Sequence, residues 1–482
     1  MAVPSITSPA GEPSAPGATQ LHRGLGVTSI VFMVVAMAAP LAVVAANVPI
    51  VISVSETISA PLYFAAATVI LAVFSVGFTR MSRHVRNAGA FYAYIQAGLG
   101  RITGTGSATV ALVSYVLLFV AVNTYVGVAT ANVLQRYGLP ATPWWLWSLI
   151  SLAIVGYLGY RDIELSSRVL GVVLVLETVT IVVLNIGIVL HQGAEGLSVQ
   201  AWSPAELGAG TPSLGLMFAF FSFIGFEATA VFRNEARDPD RTIPRATYVA
   251  VISIGVLYSI SAWLVTSAVG PSQVLDAAAS DPENMVLDLA TTYVAPILQD
   301  AMQVLLATSF FACALTIHNV IARYVLTLGG KRVLPQSLAR VHDTHGSPST
   351  SSVVVSIFTG AILLVVMLAR LDPVIEIYTW FSGMATFGLV ILMTMTSAAV
   401  IAYFRISGAT ATRWQAVIAP ALSFLGLGGV LILVVINLPM LVGTETAATV
   451  AMIGMAASFA AGVVIALMLK VRSPETYAAL TD

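Results

Sequence analysis

Five ionisable side chains stand inside long apolar stretches of this 482-residue chain: Glu177, Glu227, Asp300, His318 and Glu376. No Lys or Arg accompanies them at comparable depth. An ionisable group in hydrocarbon costs on the order of a few kcal/mol, so it normally faces a cavity or a partner. Apolar surroundings favour the neutral carboxyl, so a buried glutamate can load and release a proton near neutral pH. The alternative is a protonated glutamate that only ties two helices together. His318 has the same two readings, site member or helix bridge. Asp300 and Glu376 lie nearer the ends of their stretches, where an interfacial role competes with a functional one. Acids without bases suit a cation, a proton or a zwitterion; a phosphate or dicarboxylate would call for arginine. No HExxH, nucleophile elbow or metal-ligand cluster is present, so an enzyme is not expected. The single cysteine, Cys313, excludes an intramolecular disulfide and reads as a small packing residue.

Backbone groups offer a second kind of chemistry. Pro40 interrupts AMAAPLAVVAANVP (36–49) amid the small residues Ala38, Ala39, Ala42, Ala45 and Ala46. Proline removes one helical hydrogen bond and disrupts the preceding turn; a simple kink is the alternative to an unwound segment. In FFSFIGFE (220–227), Ser222 and Gly225 interrupt a bulky apolar run. Amides at the positive end of a broken helix can hold a carboxylate, and freed carbonyls can hold an ammonium or a metal cation. Interruptions in the first and sixth helices are the pattern of a five-helix inverted repeat.

The elements that position these groups follow from composition. Hydrophobic residues make up 58% of the chain and charged ones 9%, and the mean hydropathy is +0.93. So few charges cannot clothe a water-exposed surface. Apolar runs of bilayer length fall at 26–53, 58–79, 104–134, 143–160, 166–190, 213–233, 245–269, 293–326, 350–369, 373–404, 415–438 and 447–470. The division between 143–160 and 166–190 rests on Arg161, Asp162, Glu164 and Arg168. With the N-terminus inside, 19 of the 21 basic residues fall on cytoplasmic segments, and only Arg136 and Arg370 fall outside. The external loops 191–212 and 270–292 carry no Lys or Arg, and Trp144, Trp145 and Trp147 mark the outer interface. Residues 1–20 read as a disordered cytoplasmic tail and 473–482 as a short polar cytoplasmic tail.

Three segments resemble the amino acid–polyamine–organocation (APC) superfamily, on its amino acid permease branch. FFSFIGFEATAVFRNEARDPDRTIPRA (220–246) resembles the helix-6 signature, with Gly225, Glu227, Glu235, Pro239, Arg241, Pro244 and Arg245 in place. HNVIARYVLTLGGKRVLPQSLARVHDTHGSPSTSS (318–352) is similar to the link between helices 8 and 9, through Arg323, Leu334, Pro335, His342 and Pro348. MSRHVRNAGAFYAYIQAGLG (81–100) is similar to the loop after helix 2, through Gly89, Tyr92, Tyr94 and Gly98. The resemblance covers roughly 20–472.

It implies an all-α integral membrane protein of about twelve helices, with two inverted five-helix repeats (26–190 and 213–404) in the LeuT-like arrangement. Helices 11 and 12 (415–470) are additional, and residues 21–472 form one transporter domain. The implied function is secondary active transport of amino acids by alternating access, as proton symport. The alternatives are a polyamine or organic amine transporter, an amino acid exchanger, or a nutrient sensor built on the same fold. By resemblance Phe221 covers the substrate, while Ser222, Phe223, Ile224 and Gly225 receive its amino group. The Gly-Ser-Gly-type motif usual in helix 1 is absent; either Ala38–Pro40 or Ala45–Asn47 stands in its place. Glu177 takes the position of a helix-5 lysine found in proton-coupled relatives, so it serves coupling or holds a cation directly. Glu227, His318 and Asn319 are the further coupling candidates. Arg233, Glu235, Arg237, Asp238, Arg241 and Arg323 form either a cytoplasmic gate or a solvated, topology-fixing set. No cofactor is expected, with H+ or Na+ as coupling ion. The expected partners are a small amino acid or amine and the bilayer of the cell membrane, without nucleic acid, in a monomer or homodimer.

Overall fold

The computed structural model describes residues 26–85, 90–161, 167–231, 236–342 and 346–481. The expected tail 1–20 and the predicted positions Arg23, Arg86, Gly89, Asp162, Glu164, Arg233 and Glu235 lie outside the described residues.

Helix occupies all twelve apolar runs, and two of them are broken. The first is split into α1 (Val27–Met37) and α2 (Pro40–Ser55). Runs two to five are α3 (Ala60–Ser82), α5 (Arg101–Arg136), α6 (Trp144–Tyr160) and α7 (Ser167–Gly196). A short helix, α4 (Ala90–Leu99), lies within the segment expected to be a loop and precedes α5. The sixth run is split into α8 (Pro212–Phe221) and α9 (Ala228–Val231). Then come α10 (Pro239–Val269), two loop helices, α11 (Val274–Ser280) and α12 (Met285–Tyr293), and α13 (Pro296–Gly330). The chain continues with α14 (Ser349–Leu368), α15 (Pro373–Ile406), α16 (Trp414–Val442), α17 (Glu445–Arg472) and α18 (Pro474–Ala478). Among the described residues, nine helices are long and apolar enough to span a bilayer singly.

The long α5 is the axis of one side of the bundle, packed against α6, α13, α15 and α17. On the other side α10 packs along α3, and α2 lies among α7, α8 and α13. Helix α4 lies directly on α15: a Cβ on Gly98 would fall 2.1 Å from the Ala399 carbonyl oxygen, so only glycine fits there. Outer faces of α14, α16 and α17 expose Ile357, Phe358, Leu425, Ile432 and Ile453, the apolar coat that lipid requires. Asp372 caps the turn that opens α15, accepting from the amides of Val374 (2.9 Å) and Ile375 (2.7 Å). Glu376 accepts from the Asp372 amide at 2.5 Å. Asp300 is ion-paired with Arg136. The segment after α17 is not a free polar tail: Leu480 is buried against Tyr92, Leu328 and Val333.

Candidate substrate site

The break in the first span follows from Pro40. Proline cannot donate at its own position and pushes the preceding residue out of the helical region. Ala39 is outside that region, at φ 46° and ψ 70°, and not in the extended conformation usual before proline but in a left-handed one that costs a non-glycine residue about 1–2 kcal/mol. The Tyr258 hydroxyl of α10 donates to the Ala38 carbonyl at 3.4 Å, and the Cys313 thiol of α13 sits 3.9 Å from the Met37 carbonyl. On the other side of the break, the Leu41 amide donates to Glu177 Oε2 at 3.3 Å. Ser309 of α13 lies beside that carboxyl. Glu177, buried on α7, therefore closes the positive end of a half-helix.

The sixth span unwinds over residues 222–227. Gly225 has φ 109°, and a Cβ there would lie 3.1 Å from Met37 Cβ, so glycine lets the two breaks touch. Glu227 turns back on this segment: Oε2 accepts the Gly225 amide at 2.9 Å and Oε1 accepts the Tyr115 hydroxyl of α5 at 3.0 Å. Asn47 of α2 donates to the Phe218 carbonyl at 2.8 Å.

Between the breaks is a cavity of about 260 Å³. Ala38, Ala39, Phe221, Ile224, Gly225 and Glu227 form its wall on the broken-helix side. Phe310 and Tyr378 line it at the end away from the Arg-rich loops. Behind them Tyr125 stacks on Phe310 at 4.3 Å and meets Tyr378 edge-on at 4.9 Å; Phe221 meets Tyr378 at 5.9 Å. At the other end the cavity reaches Tyr92, Arg323 and Thr327, and both Arg323 and Thr327 are exposed. The cavity is therefore open on the face of the Arg-rich loops and covered by aromatic rings on the opposite face.

Not every expected residue shares this cavity. Ala38, Ala39, Phe221, Ile224, Gly225 and Glu227 line it. Pro40 sits behind Ala39, and Ala45 and Ala46 are buried one turn further on, in the π-helical stretch Val43–Asn47. Ser222 accepts from Asn47 and Phe223 packs on Tyr258 instead. Glu177 touches the break from outside the cavity. His318 faces elsewhere: Nε2 is 3.0 Å from the Ser356 hydroxyl of α14, its ring is 5.5 Å from Phe119, and a Cβ on Gly159 of α6 would fall 2.7 Å from it. Asn319 lies on that same side, where a Gly159 Cβ would also meet its Oδ1. Of the charged loop, Arg241 and Asp238 form an exposed pair at 3.9 Å, worth little in water; Arg237 is exposed. Sequence reasoning missed Tyr115, Phe310 and Tyr378 as lining groups, since a tyrosine or phenylalanine in an apolar helix carries no sign of which way it faces. Asn47 had a signal: it is an amide inside a run of Ala and Val.

The sequence profile of the family described as Amino acid permease matches residues 29–473. The chain is 22% identical over 352 residues to the low-affinity putrescine importer PlaP of Escherichia coli (strain K12), covering 71% of this chain and 73% of that protein. Two uncharacterized transporters of Mycobacterium tuberculosis (strain ATCC 25618 / H37Rv) are each 28% identical. One match spans 231 residues, 41% of this chain and 46% of the relative. The other spans 219 residues, 44% of this chain and 46% of the relative. With the profile spanning both broken helices and the cavity between them, this multi-pass membrane transporter belongs to the amino acid permease family.

Proposed function

We propose that this chain is an alternating-access secondary transporter of the cell membrane. It carries a small ammonium-bearing molecule, an amino acid or an organic amine, and couples its movement to protons through Glu177. The observation that carries the reading is the cavity between the two breaks, open on one face and covered by aromatic rings on the other. A site reachable from one side at a time is the minimum a carrier needs. The distribution of Lys and Arg supports assigning the open face to the cytoplasm. Glu227 supplies the negative charge that an ammonium seeks, beside the unwound backbone of residues 222–227. Glu177 supports coupling by its place: one carboxyl oxygen is committed to the Leu41 amide, and gain or loss of a proton there changes the grip on the half-helix. Similarity to a putrescine importer favours the amine half of the reading.

Uptake by the reconstituted full chain, measured with imposed pH or sodium gradients, tests this. Uptake driven by an inward proton gradient, lost in Glu177→Gln, is the expected result. Uptake indifferent to both gradients would sink the symport reading, and proton-driven uptake intact in Glu177→Gln would remove Glu177 from it.

A further inference from the structure

We propose that Pro40 and Glu177 together select a substrate without a carboxylate, an organic amine in preference to an α-amino acid. This rests on the transporter reading above. A broken-helix site holds a carboxylate with amides of the half-helix N-terminus that have no partner inside the helix. Here Pro40 has no amide hydrogen at the first position. The second amide, Leu41, is already bound to the chain's own carboxylate at 3.3 Å. The Val43 amide turns back to the Ala39 carbonyl at 3.1 Å, which leaves Ala42. A substrate carboxylate at the remaining Ala42 amide would meet a half-helix end that Glu177 already closes from behind. No lysine lines the cavity, and Arg323 lies at its mouth. The ammonium half of the site is well provided. Glu227 lines the cavity together with Tyr115, Phe221, Phe310 and Tyr378, aromatic residues of the kind that attract a cation. Glu177 acts through the Leu41 amide, so it is a positioning residue.

The test uses pairs of compounds differing only by the carboxylate, on the full chain in proteoliposomes: 1,5-diaminopentane with lysine, 1,4-diaminobutane with ornithine, phenethylamine with phenylalanine. The amine of at least one pair is expected to be taken up about tenfold faster than its amino acid, the size of one charged hydrogen bond. Pro40→Ala restores an amide, and Glu177→Gln removes the resident carboxylate; each is expected to shrink that ratio at an unchanged rank order of amines, read for Glu177→Gln as gradient-independent counterflow, since its proton-driven uptake is expected to be lost. Equal or faster uptake of the amino acids overturns the inference while leaving the transporter reading intact. Uptake of no member of any pair overturns the transporter reading and this inference with it. A ratio unchanged in folded Pro40→Ala and Glu177→Gln variants removes these two residues as its cause.

A separate observation carries a second inference: residues 474–481 form a strap that holds the mouth of the cavity open. Leu480 is buried among Tyr92, Leu328 and Val333. Its carbonyl accepts from Gln96 of α4 at 2.9 Å and from Lys331 beyond α13 at 2.8 Å, and Arg101 lies 5.4 Å over the Tyr477 ring. Tyr92 stands between strap and cavity, 5.2 Å from Tyr324, which is 6.1 Å from Tyr115, the ring bonded to Glu227. A continuous line of contacts thus runs from the strap to the broken helix. Cys313, the single cysteine, lines the cavity and reports access to it. A membrane-impermeant methanethiosulfonate added on the side of the basic loops is expected to modify Cys313 a few times more slowly in Leu480→Ala. Gln96→Ala, which removes the bond to the Leu480 carbonyl but keeps the Leu480 side chain in its cluster, is expected to act in the same direction, with the folded fraction followed by thermal melting. An unchanged or faster rate in both variants overturns the strap.

Discussion

The Asn47 side-chain amide donates to the Ser222 hydroxyl at 2.6 Å, joining the first span, about two turns past its break, to the start of the break in the sixth. The same amide holds the Phe218 carbonyl, so one residue of α2 fixes the last turn of α8 where it starts to unwind. Both partners are buried. In that setting the bond fixes the spacing between the two spans.

Asn47→Ala should therefore cost about 1–3 kcal/mol, the penalty for buried groups left without a partner. Thermal melting in detergent would read this as a lowered midpoint, and uptake should fall more than the lost folded fraction explains. A variant with normal melting and normal uptake would mean that the bond is incidental.

Gly225→Ala should be severe. The added Cβ meets Met37 at 3.1 Å, and φ 109° is a conformation that costs an L-residue about 1–3 kcal/mol. Transport should fall by more than about tenfold in protein that still inserts, because the breaks can no longer touch.

Ala39→Gly should act oppositely on stability. Relief of the left-handed strain at φ 46° outweighs the extra entropy glycine has when unfolded, for a net gain of about 0.5–1 kcal/mol. A rise in melting midpoint checks it; a fall would show that the break is held by something other than Pro40.

Glu283 gives a pH dependence. It lies between α11 and α12, outside the spans, where burial first, then Asp281 and Asp372, push its carboxyl above the ordinary value against a bond from Asn132. A carboxyl raised on folding binds its proton more tightly in the folded state. Its stabilisation is thus present at low pH and lost as pH rises through the raised value. Melting midpoints followed upward from pH ~4.3, the unperturbed carboxyl value, should decline less in Glu283→Gln than in the parent. Parallel profiles would contradict this.

Much was legible in the sequence for a physical reason. Hydrocarbon admits helices and excludes charge, so span count and charge placement are written in composition alone. The two breaks were legible too, because Pro40 and Gly225 have backbone properties independent of their neighbours. Which way a side chain faces was not. In a helix that is apolar all round, periodicity does not distinguish lipid from protein interior. His318 looked like a companion of Glu177, yet its ring is held by Ser356 of α14 and packs on Phe119. Ala45 and Ala46 looked as suitable as Ala38 and Ala39 for lining the site, yet they sit a turn too deep. The sequence alone thus determined a twelve-span membrane protein broken in its first and sixth helices. Only tertiary packing could set Glu177 of α7 on the Leu41 amide, because that contact joins residues 136 apart whose meeting depends on how the helices are rotated against one another.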